Sequence, residues 1–85
     1  MSMRIDESYQ GGVVVTPSDT TKITFPTGTP YGRAVYLDGA GNVSALMADG
    51  STLTFTGLAA GVFHKIGVQR INSTGTTATG IKVMY

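Results

Sequence analysis

The sequence contains no cysteine and only one histidine among its 85 residues. The absence of cysteine excludes disulfides and thiolate chemistry, and one histidine with five scattered carboxylates offers little to a structural metal. A domain of this length buries only roughly 60–65% of its unfolded surface, and small domains often rely on disulfides, metals or partner subunits. Association with other subunits is therefore the natural supplement to the core, although a well-packed domain of this size can also stand alone.

Charged residues are also scarce, at 13% of the chain, half of the ~25% that is typical of soluble domains. A surface with so little charge must be covered by threonine, serine and glycine, and it is poorly protected against association. The formal net charge of +1 creates no field that attracts nucleic acid or anionic lipid. No apolar run approaches the ~20 residues that cross a bilayer. We therefore expect no nucleic-acid partner and no membrane segment.

The first ten residues contain no hydrophobic signal region, which predicts a protein made in a cytoplasm that leaves it only as part of a larger particle. Residues 1–11 are polar and mixed in composition. They predict an N-terminal arm, followed by a single β domain over residues 12–85. The tripeptide Asn72-Ser73-Thr74 matches a glycosylation sequon, but without a secretory signal we interpret it as turn chemistry.

Short strands separated by tight turns dominate the rest of the chain. Twelve glycines and many threonines recur at short intervals, and no segment has a sustained 3.6-residue apolar period, so we expect no helix. Strands are predicted at residues 13–16, 21–25, 33–38, 43–47, 51–56, 62–71 and 81–85. The fold class is therefore all-β, a small antiparallel β-sandwich or barrel of six to seven short strands.

Three local features sharpen this prediction. Asp49-Gly50 lies between two alternating runs and predicts a hairpin with a type I′ turn, which needs positive φ at both central residues. Residues 57–61 form a short connection that could cross from one sheet to another. The run at residues 62–71 is apolar on both faces, so it is either covered on both sides or bulged near Gly67. The apolar closing strand pairs either within its own chain or with a neighbouring copy.

Catalytic and cofactor motifs are missing from the pattern. His64 lies mid-strand without a nucleophile elbow in the sequence, and a half-buried or rim histidine is the simpler interpretation. Asp38 and Asp49 lie at hairpin turns, where aspartate hydrogen-bonds the backbone. Gly39-Ala40-Gly41 lacks the third glycine and the helix of a phosphate-binding loop. We therefore expect no enzyme activity, no cofactor and no metal site.

Surface contacts remain as the basis of function. Tyr31, Tyr36 and Tyr85 are the candidate protein-interface residues, because tyrosine combines apolar area with a polar tip. A core or core-edge position is an equal alternative for each of them. A nucleic-acid surface would need clustered arginine and lysine with aromatic residues between them. One set of residues could share a side of a sheet, although solvated strand charges are the simpler interpretation. The set is Arg33, Tyr36, Lys65, Arg70 and Lys82.

From residue 18 to residue 85 a series of short motifs follows in a distinctive order, and the last of them is the most specific. The segments are Arg33-Ala34-Val35-Tyr36, Gly39-Ala40-Gly41-Asn42-Val43, Asp49-Gly50-Ser51-Thr52-Leu53-Thr54-Phe55-Thr56-Gly57, Gly61, Arg70-Ile71 and Gly75-Thr76-Thr77-Ala78-Thr79-Gly80-Ile81. This order resembles a family of small proteins encoded among the structural genes of tailed bacteriophages and gene transfer agents, the head-spike base proteins.

The resemblance implies a virion component without enzymatic activity, made in the cytoplasm of a bacterial host. It implies a ring-like homo-oligomer on the capsid surface, acting as a head-spike base or decoration protein. The implied partners are the major capsid protein and a spike or fibre protein. No catalytic or ligand-binding residues come with the family.

A different class of function stays open at this point. A ligand-binding β module, such as a carbohydrate-binding or tail-associated adhesion protein, would use Tyr31, Tyr36 or Tyr85 as stacking platforms. An enzyme acting through His64 is a distant third possibility.

Overall fold

The computed structural model describes residues 9–85, so residues 1–8 of the predicted arm lie outside the described residues. The described part contains seven strands and no helix, which confirms the all-β class. The strands are β1 (Gly12–Val14), β2 (Ala34–Gly39), β3 (Gly41–Met47), β4 (Thr52–Leu58), β5 (Phe63–His64), β6 (Val68–Asn72) and β7 (Thr79–Met84).

The strands form two antiparallel sheets that pack as a sandwich. The first sheet has the order β1-β7-β2-β5, and the second has the order β4-β3-β6. Apolar side chains alternate along the strands, as expected when one face of each sheet is buried. The core consists of Val35, Leu37, Ile81 and Val83 from the first sheet, Val43, Ala45, Val68 and Ile71 from the second, and Ala78. Of the two predicted architectures, the structure is therefore the sandwich.

The closing strand pairs within its own chain. β7 lies between β1 and β2 in the first sheet, in a register that places Val83 opposite both Val13 and Val35. The pairing continues past the strand ends, where Tyr85 donates its backbone N–H to Gly11 (3.0 Å) and accepts the N–H of Gln10 (2.7 Å). The last apolar residues thus form part of the middle of a sheet.

The predicted strand at residues 21–25 is wrong. This segment runs beside β6, but it makes a single backbone hydrogen bond there, from the N–H of Ile23 to the carbonyl of Gln69 (3.0 Å). One such bond does not form a ladder. Ile23 and Phe25 nevertheless pack against the core, which explains why the segment has the alternation of a strand.

The predicted long strand at residues 62–71 is also wrong, because this run divides between the two sheets. β5 pairs with β2 in the first sheet, and β6 pairs with β3 in the second. Between them the backbone turns tightly, with the N–H of Ile66 donating to the carbonyl of His64 (2.9 Å). The side of the chain that faces the core changes where the chain passes from one sheet to the other. For this reason, apolar residues of the run at 62–71 lie on both faces of the predicted strand. The predicted crossing is confirmed, since the chain passes from β4 in the second sheet to β5 in the first, although it begins only after Leu58, the last residue of β4.

The predicted hairpin at Asp49-Gly50 is confirmed, but its turn type is wrong. Gly50 has a φ of 94°, whereas no non-glycine residue in the described part has a positive φ. Gly50 donates its N–H to the carbonyl of Met47 (3.0 Å), and Met47 donates to the carbonyl of Ser51 (2.7 Å). This is the three-residue loop in which a type I turn is followed by a left-handed glycine.

The loop between β6 and β7 extends the ladder of β3 with threonine side chains. Thr76 Oγ1 accepts the backbone N–H of Ser44 (3.0 Å), and Thr77 Oγ1 accepts that of Asn42 (2.9 Å). The carbonyl of Asn42 accepts the N–H of Thr77 in return (2.9 Å). Beyond the end of β6, the chain crosses to the first sheet. The threonine hydroxyls there accept the hydrogen bonds from β3 that the backbone carbonyls of a strand would otherwise accept.

The sequon residues have structural roles, but the turn interpretation holds only for Ser73 and Thr74, because Asn72 is the last residue of β6. Asn72 is buried, where its side-chain amide donates to Ser44 Oγ (3.2 Å) and its oxygen accepts from Arg70 Nε (2.8 Å). Thr74 donates its hydroxyl to Asp19 Oδ2 (2.6 Å).

Candidate protein-interaction surfaces

The titratable side chains of the described part do not converge on a catalytic arrangement. His64 is half-buried and its Nε2 lies 2.9 Å from the carbonyl oxygen of Ala59; since a carbonyl only accepts, Nε2 donates. Asp38 accepts a hydrogen bond from Lys82 Nζ (2.7 Å). Asp49 Oδ1 accepts the N–H (3.0 Å) and the hydroxyl (2.7 Å) of Ser51, which lowers the pKa of Asp49.

No three His, Asp or Glu side chains within residues 9–85 are placed to hold a metal ion. Over the same residues, no helix is long and apolar enough to cross a membrane.

Two of the three candidate tyrosines, Tyr31 and Tyr85, line one open depression of about 350 Å³. We call it the tyrosine depression, and its other walls are Gln10, Arg33 and the loop at residues 28–30. The ring of Tyr85 lies edge-on to Phe25, with centroids 6.0 Å apart and planes at 78°, so its position is fixed by a core-edge contact. Tyr31 is 41% exposed.

Tyr36 lies elsewhere, on the outer surface of the first sheet, because its chain neighbours Val35 and Leu37 point into the core. It is the cross-strand partner of Phe63 on β5, and the two ring centroids are 5.1 Å apart. Tyr9 packs on the same phenylalanine at 5.5 Å. We call Tyr9, Tyr36 and Phe63 the aromatic face.

Cations border the aromatic face. Lys82, the β7 partner of Tyr36, places its Nζ 5.9 Å from the Tyr36 ring centroid, and the guanidinium of Arg33 lies 5.6 Å from that of Tyr9. Such distances suit cation–π contacts. Phe63 remains 48% exposed. Phe63 was not among the interface residues predicted from the sequence, because its proximity to Tyr36 depends on a pairing between β2 and β5 that no local pattern reveals.

The five residues considered for a nucleic-acid surface do not share one side of a sheet. Tyr36 and Lys82 are paired on the first sheet, whereas Arg70 belongs to the second, where it lies opposite Leu46. Its Nε donates to Asn72 within its own strand (2.8 Å). The cations are thus divided between two sheets, which weakens the field that a phosphate backbone would meet.

A third surface is the free side of β4, the outermost strand of the second sheet. Thr52, Thr54 and Thr56 are exposed along it. Leu53 and Phe55 lie on the same side of β4, but Leu53 is 49% exposed, whereas Phe55 packs against the core. β4 therefore leaves an apolar side chain in solvent at its start.

The fold has a known counterpart. The chain is similar to a protein chain in the capsid of a native gene transfer agent (GTA) particle computed with C5 symmetry, at 25% sequence identity and a TM-score of 0.76. The match covers 99% of this chain and 92% of the other. No protein-family model and no curated protein matches the chain. The structural similarity supports a phage- or GTA-capsid-related structural protein, which is the coarser part of what the sequence resemblance implied.

Proposed function

We propose that this chain is a homo-oligomeric component of the capsid surface of a phage-like particle, acting as a head-spike base or decoration protein. The observation that carries the proposal is the similarity to a GTA capsid chain over 99% of the sequence at a TM-score of 0.76. A match of that extent concerns the whole sandwich and both of its sheets. It is consistent with the family that the motifs of residues 18–85 resemble.

The surface chemistry supports a function carried by contacts between proteins. Large apolar side chains are exposed at Val14 (77%), Leu53 (49%), Phe63 (48%), Val62 (47%) and Tyr31 (41%). Single exposed apolar residues are ordinary, but aromatic residues and arginine are both enriched at protein interfaces. The aromatic face and the tyrosine depression are therefore the surfaces that we assign to partners.

The proposed partners are further copies of this chain, the major capsid protein, and a spike or fibre protein. The proposed location is the virion, after synthesis in the cytoplasm of the bacterial host. The chain acts in this role without a cofactor and without an enzymatic step.

Two measurements test the proposal. Native mass spectrometry of the purified chain should show a defined homo-oligomer, and the chain should co-sediment with shells of the major capsid protein of its own particle. Phe63→Ser, on the aromatic face, should weaken one of these associations, while Thr27→Ser, at an exposed loop position, should change neither. A chain that stays monomeric in both settings would falsify the proposal.

One observation favours a second candidate, a carbohydrate-binding or tail-associated adhesion module. The tyrosine depression combines two aromatic rings with polar neighbours at Gln10 and Arg33, an arrangement that suits stacking against a sugar. In this case Tyr31→Ala should abolish glycan-array binding, and Tyr36→Ala, outside the depression, should leave it unchanged. An array without signal for the unaltered protein eliminates this candidate.

A further inference from the structure

β4 presents a row of unpaired backbone groups. In the hairpin, Met47 on β3 donates its N–H to the carbonyl of Ser51 (2.7 Å). Backbone groups along an antiparallel strand point alternately toward and away from the neighbouring strand, so the N–H and C=O groups of Leu53 and Phe55 point toward β3. The backbone groups of the alternate residues, Thr52, Thr54 and Thr56, therefore point away from the sheet. Across residues 9–85, no group is hydrogen-bonded to them on that side. We call this row the β4 edge.

The β4 edge is the longest open edge of the sandwich as described. In the first sheet, the edge strands β1 and β5 are three and two residues long, whereas β4 has seven. In the second sheet, the far edge is covered, because Ser18 and Ile23 donate backbone N–H groups to the carbonyls of Ile71 (2.8 Å) and Gln69 (3.0 Å) on β6.

The β4 edge also lacks the usual protection against pairing. Soluble proteins block exposed edge strands with lysine, other charges, proline or short length. Between Asp49 and His64 the sequence contains no charged residue and no proline. An unprotected edge of this kind is expected where the strand pairs with a strand of another chain.

We propose that the β4 edge pairs with the β4 edge of a second copy of this chain, in antiparallel register with Thr54 on the twofold axis. This inference rests on the proposed homo-oligomeric function and names one of its contacts, an isologous one that joins copies in pairs. Neighbours within a cyclic ring meet through two different surfaces, so in a ring-like oligomer the β4 pair would join a copy in one ring to a copy in another. Hydrogen bonds would join Thr54 to Thr54 at the axis and Thr52 to Thr56 on either side of it. The three-stranded sheet of each copy would then become half of a continuous six-stranded sheet.

The register follows from the positions of the free backbone groups. Only Thr52, Thr54 and Thr56 have outward N–H and C=O groups, so an axis through Leu53 or Phe55 would bring together groups already bonded to β3. An axis through Thr56 would draw Gly57 into the ladder, where its φ of 71° is not that of a strand. An axis through Thr52 would lead into the hairpin. Only an axis at Thr54 allows all three residues of the β4 edge to form backbone hydrogen bonds across the contact.

The side chains are complementary in the same register. Leu53 of one copy would lie opposite Phe55 of the other, in a pair where side chains approach closely, and its 49% exposed surface would be covered at the rim of a joint core. Threonines would face threonines on the outer surface, a favourable cross-strand combination. Because β4 carries no charge, two copies neither repel each other nor desolvate an ion.

The limited area predicts weak pairing between isolated copies. A seven-residue strand alone falls short of the ~1,200 Å² that stable protein interfaces bury. Copies held close together by a particle surface pair as if at high local concentration. The contact is therefore expected to be weak in dilute solution and to form fully in the assembled oligomer.

The register is tested by distances between spin labels. Since the chain has no cysteine, single cysteines at Thr52, Thr54 or Thr56 each carry one label per copy, on side chains that leave the backbone edge free. In the assembled oligomer, labels at Thr54 should be the closest to their counterparts. Labels at Thr52 and at Thr56 should be equally far apart, displaced by four residues or about 14 Å along the strand. Any other order of the three distances overturns the inference.

A matched pair of charge variants tests the contact itself, by sedimentation velocity from micromolar to millimolar concentration. Thr54→Lys should weaken association about two- to fivefold, since it places two like charges opposite each other at the axis, whereas Thr27→Lys adds the same charge at an exposed loop residue and should have no effect. If the unaltered chain forms its oligomer and Thr54→Lys forms it equally well, the β4 contact is wrong and the proposed function stands. If the unaltered chain is monomeric throughout, and also on capsid shells, both fail.

Discussion

Asp19 shows how a single residue joins two distant parts of the chain. Its Oδ1 accepts the backbone N–H of Thr74 (2.9 Å) and its Oδ2 accepts the hydroxyl of the same residue (2.6 Å). Beside it, Ser18 Oγ accepts the N–H groups of Thr20 (3.2 Å) and Thr21 (3.1 Å). The turn at Ser18-Asp19 was predictable from its residue types. Its attachment to Thr74 was not, because that partner is close only in the folded chain.

The hydrogen bonds from Thr74 lower the pKa of Asp19 below its ordinary value, and this predicts a pH dependence. A carboxyl whose pKa is lower in the folded chain stabilises the fold above its unfolded pKa, about 3.9, and loses that contribution as the pH falls through the folded pKa. Asp19→Asn should therefore lower the melting temperature at pH 7, and the difference from the unaltered chain should shrink below pH ~4. A difference that stays constant between neutral and acidic pH would show that the charge of Asp19 is not involved.

The aromatic face is a second feature at this scale. Tyr36 was a predicted interface residue because of its residue type, and in the structure its ring packs against Phe63. Residue type can identify side chains that suit an interface, but it cannot say which of them are neighbours. That information lies in the register between β2 and β5.

Among the elements, the hairpin between β3 and β4 was the most predictable, and its glycine offers a direct test. Gly50 has a φ of 94° with no atom within 4 Å of where a Cβ would be, so the cost of a side chain there is conformational alone. Gly50→Ala should lower the free energy of unfolding by about 1–2 kcal/mol, the cost of a left-handed backbone for an L-residue. Ser51→Ala, next in the chain, removes one hydroxyl contact to Asp49 and should cost less. Equal losses in chemical denaturation would argue against the left-handed turn.

The loop between β6 and β7, residues 73–78, overlaps the segment that was most specific in the resemblance, and its threonines allow a test. Thr76→Val keeps the shape of the side chain but removes the oxygen that accepts the N–H of Ser44, a residue that is only 6% exposed. An unsatisfied buried donor costs about 1–3 kcal/mol, and denaturant unfolding should show a loss of this size. Thr24→Val, at an exposed position, is the control and should be nearly neutral. No loss for Thr76→Val would mean that solvent replaces the hydroxyl.

Strand positions were predictable where an alternating apolar run stays in one sheet. The runs that became β2, β3 and β4 each do so, and their alternation is read directly from the sequence. The run that became β5 and β6 changes sheets within a few residues, and no local pattern records which sheet a strand joins. Residues 21–25 failed for a related reason: their side chains face the core, but the edge of β6 gives them one hydrogen bond.

At the scale of the whole molecule, the sandwich has little stability to spare. A chain of 85 residues has an expected free energy of unfolding of about 4–13 kcal/mol. Its core is built from valine, alanine, leucine and isoleucine, without an aromatic side chain at its centre. Burial between subunits would add to this stability by mass action, which links the thin core to the proposed assembly.

Two leucines separate the stability of the isolated chain from that of the assembly. Leu37 is 0% exposed in the core, whereas Leu53 is 49% exposed beside the β4 edge. In dilute solution Leu37→Ala should cost about 2–5 kcal/mol, and Leu53→Ala should cost distinctly less, since half of its surface is already in water. The order of the two effects on association should be reversed. Leu53→Ala should weaken the oligomer, while any Leu37→Ala chain that folds should associate normally. An assembly indifferent to Leu53→Ala would show that no joint core forms across β4, and the thin sandwich would then have to gain its stability from contacts on the aromatic face or at the tyrosine depression.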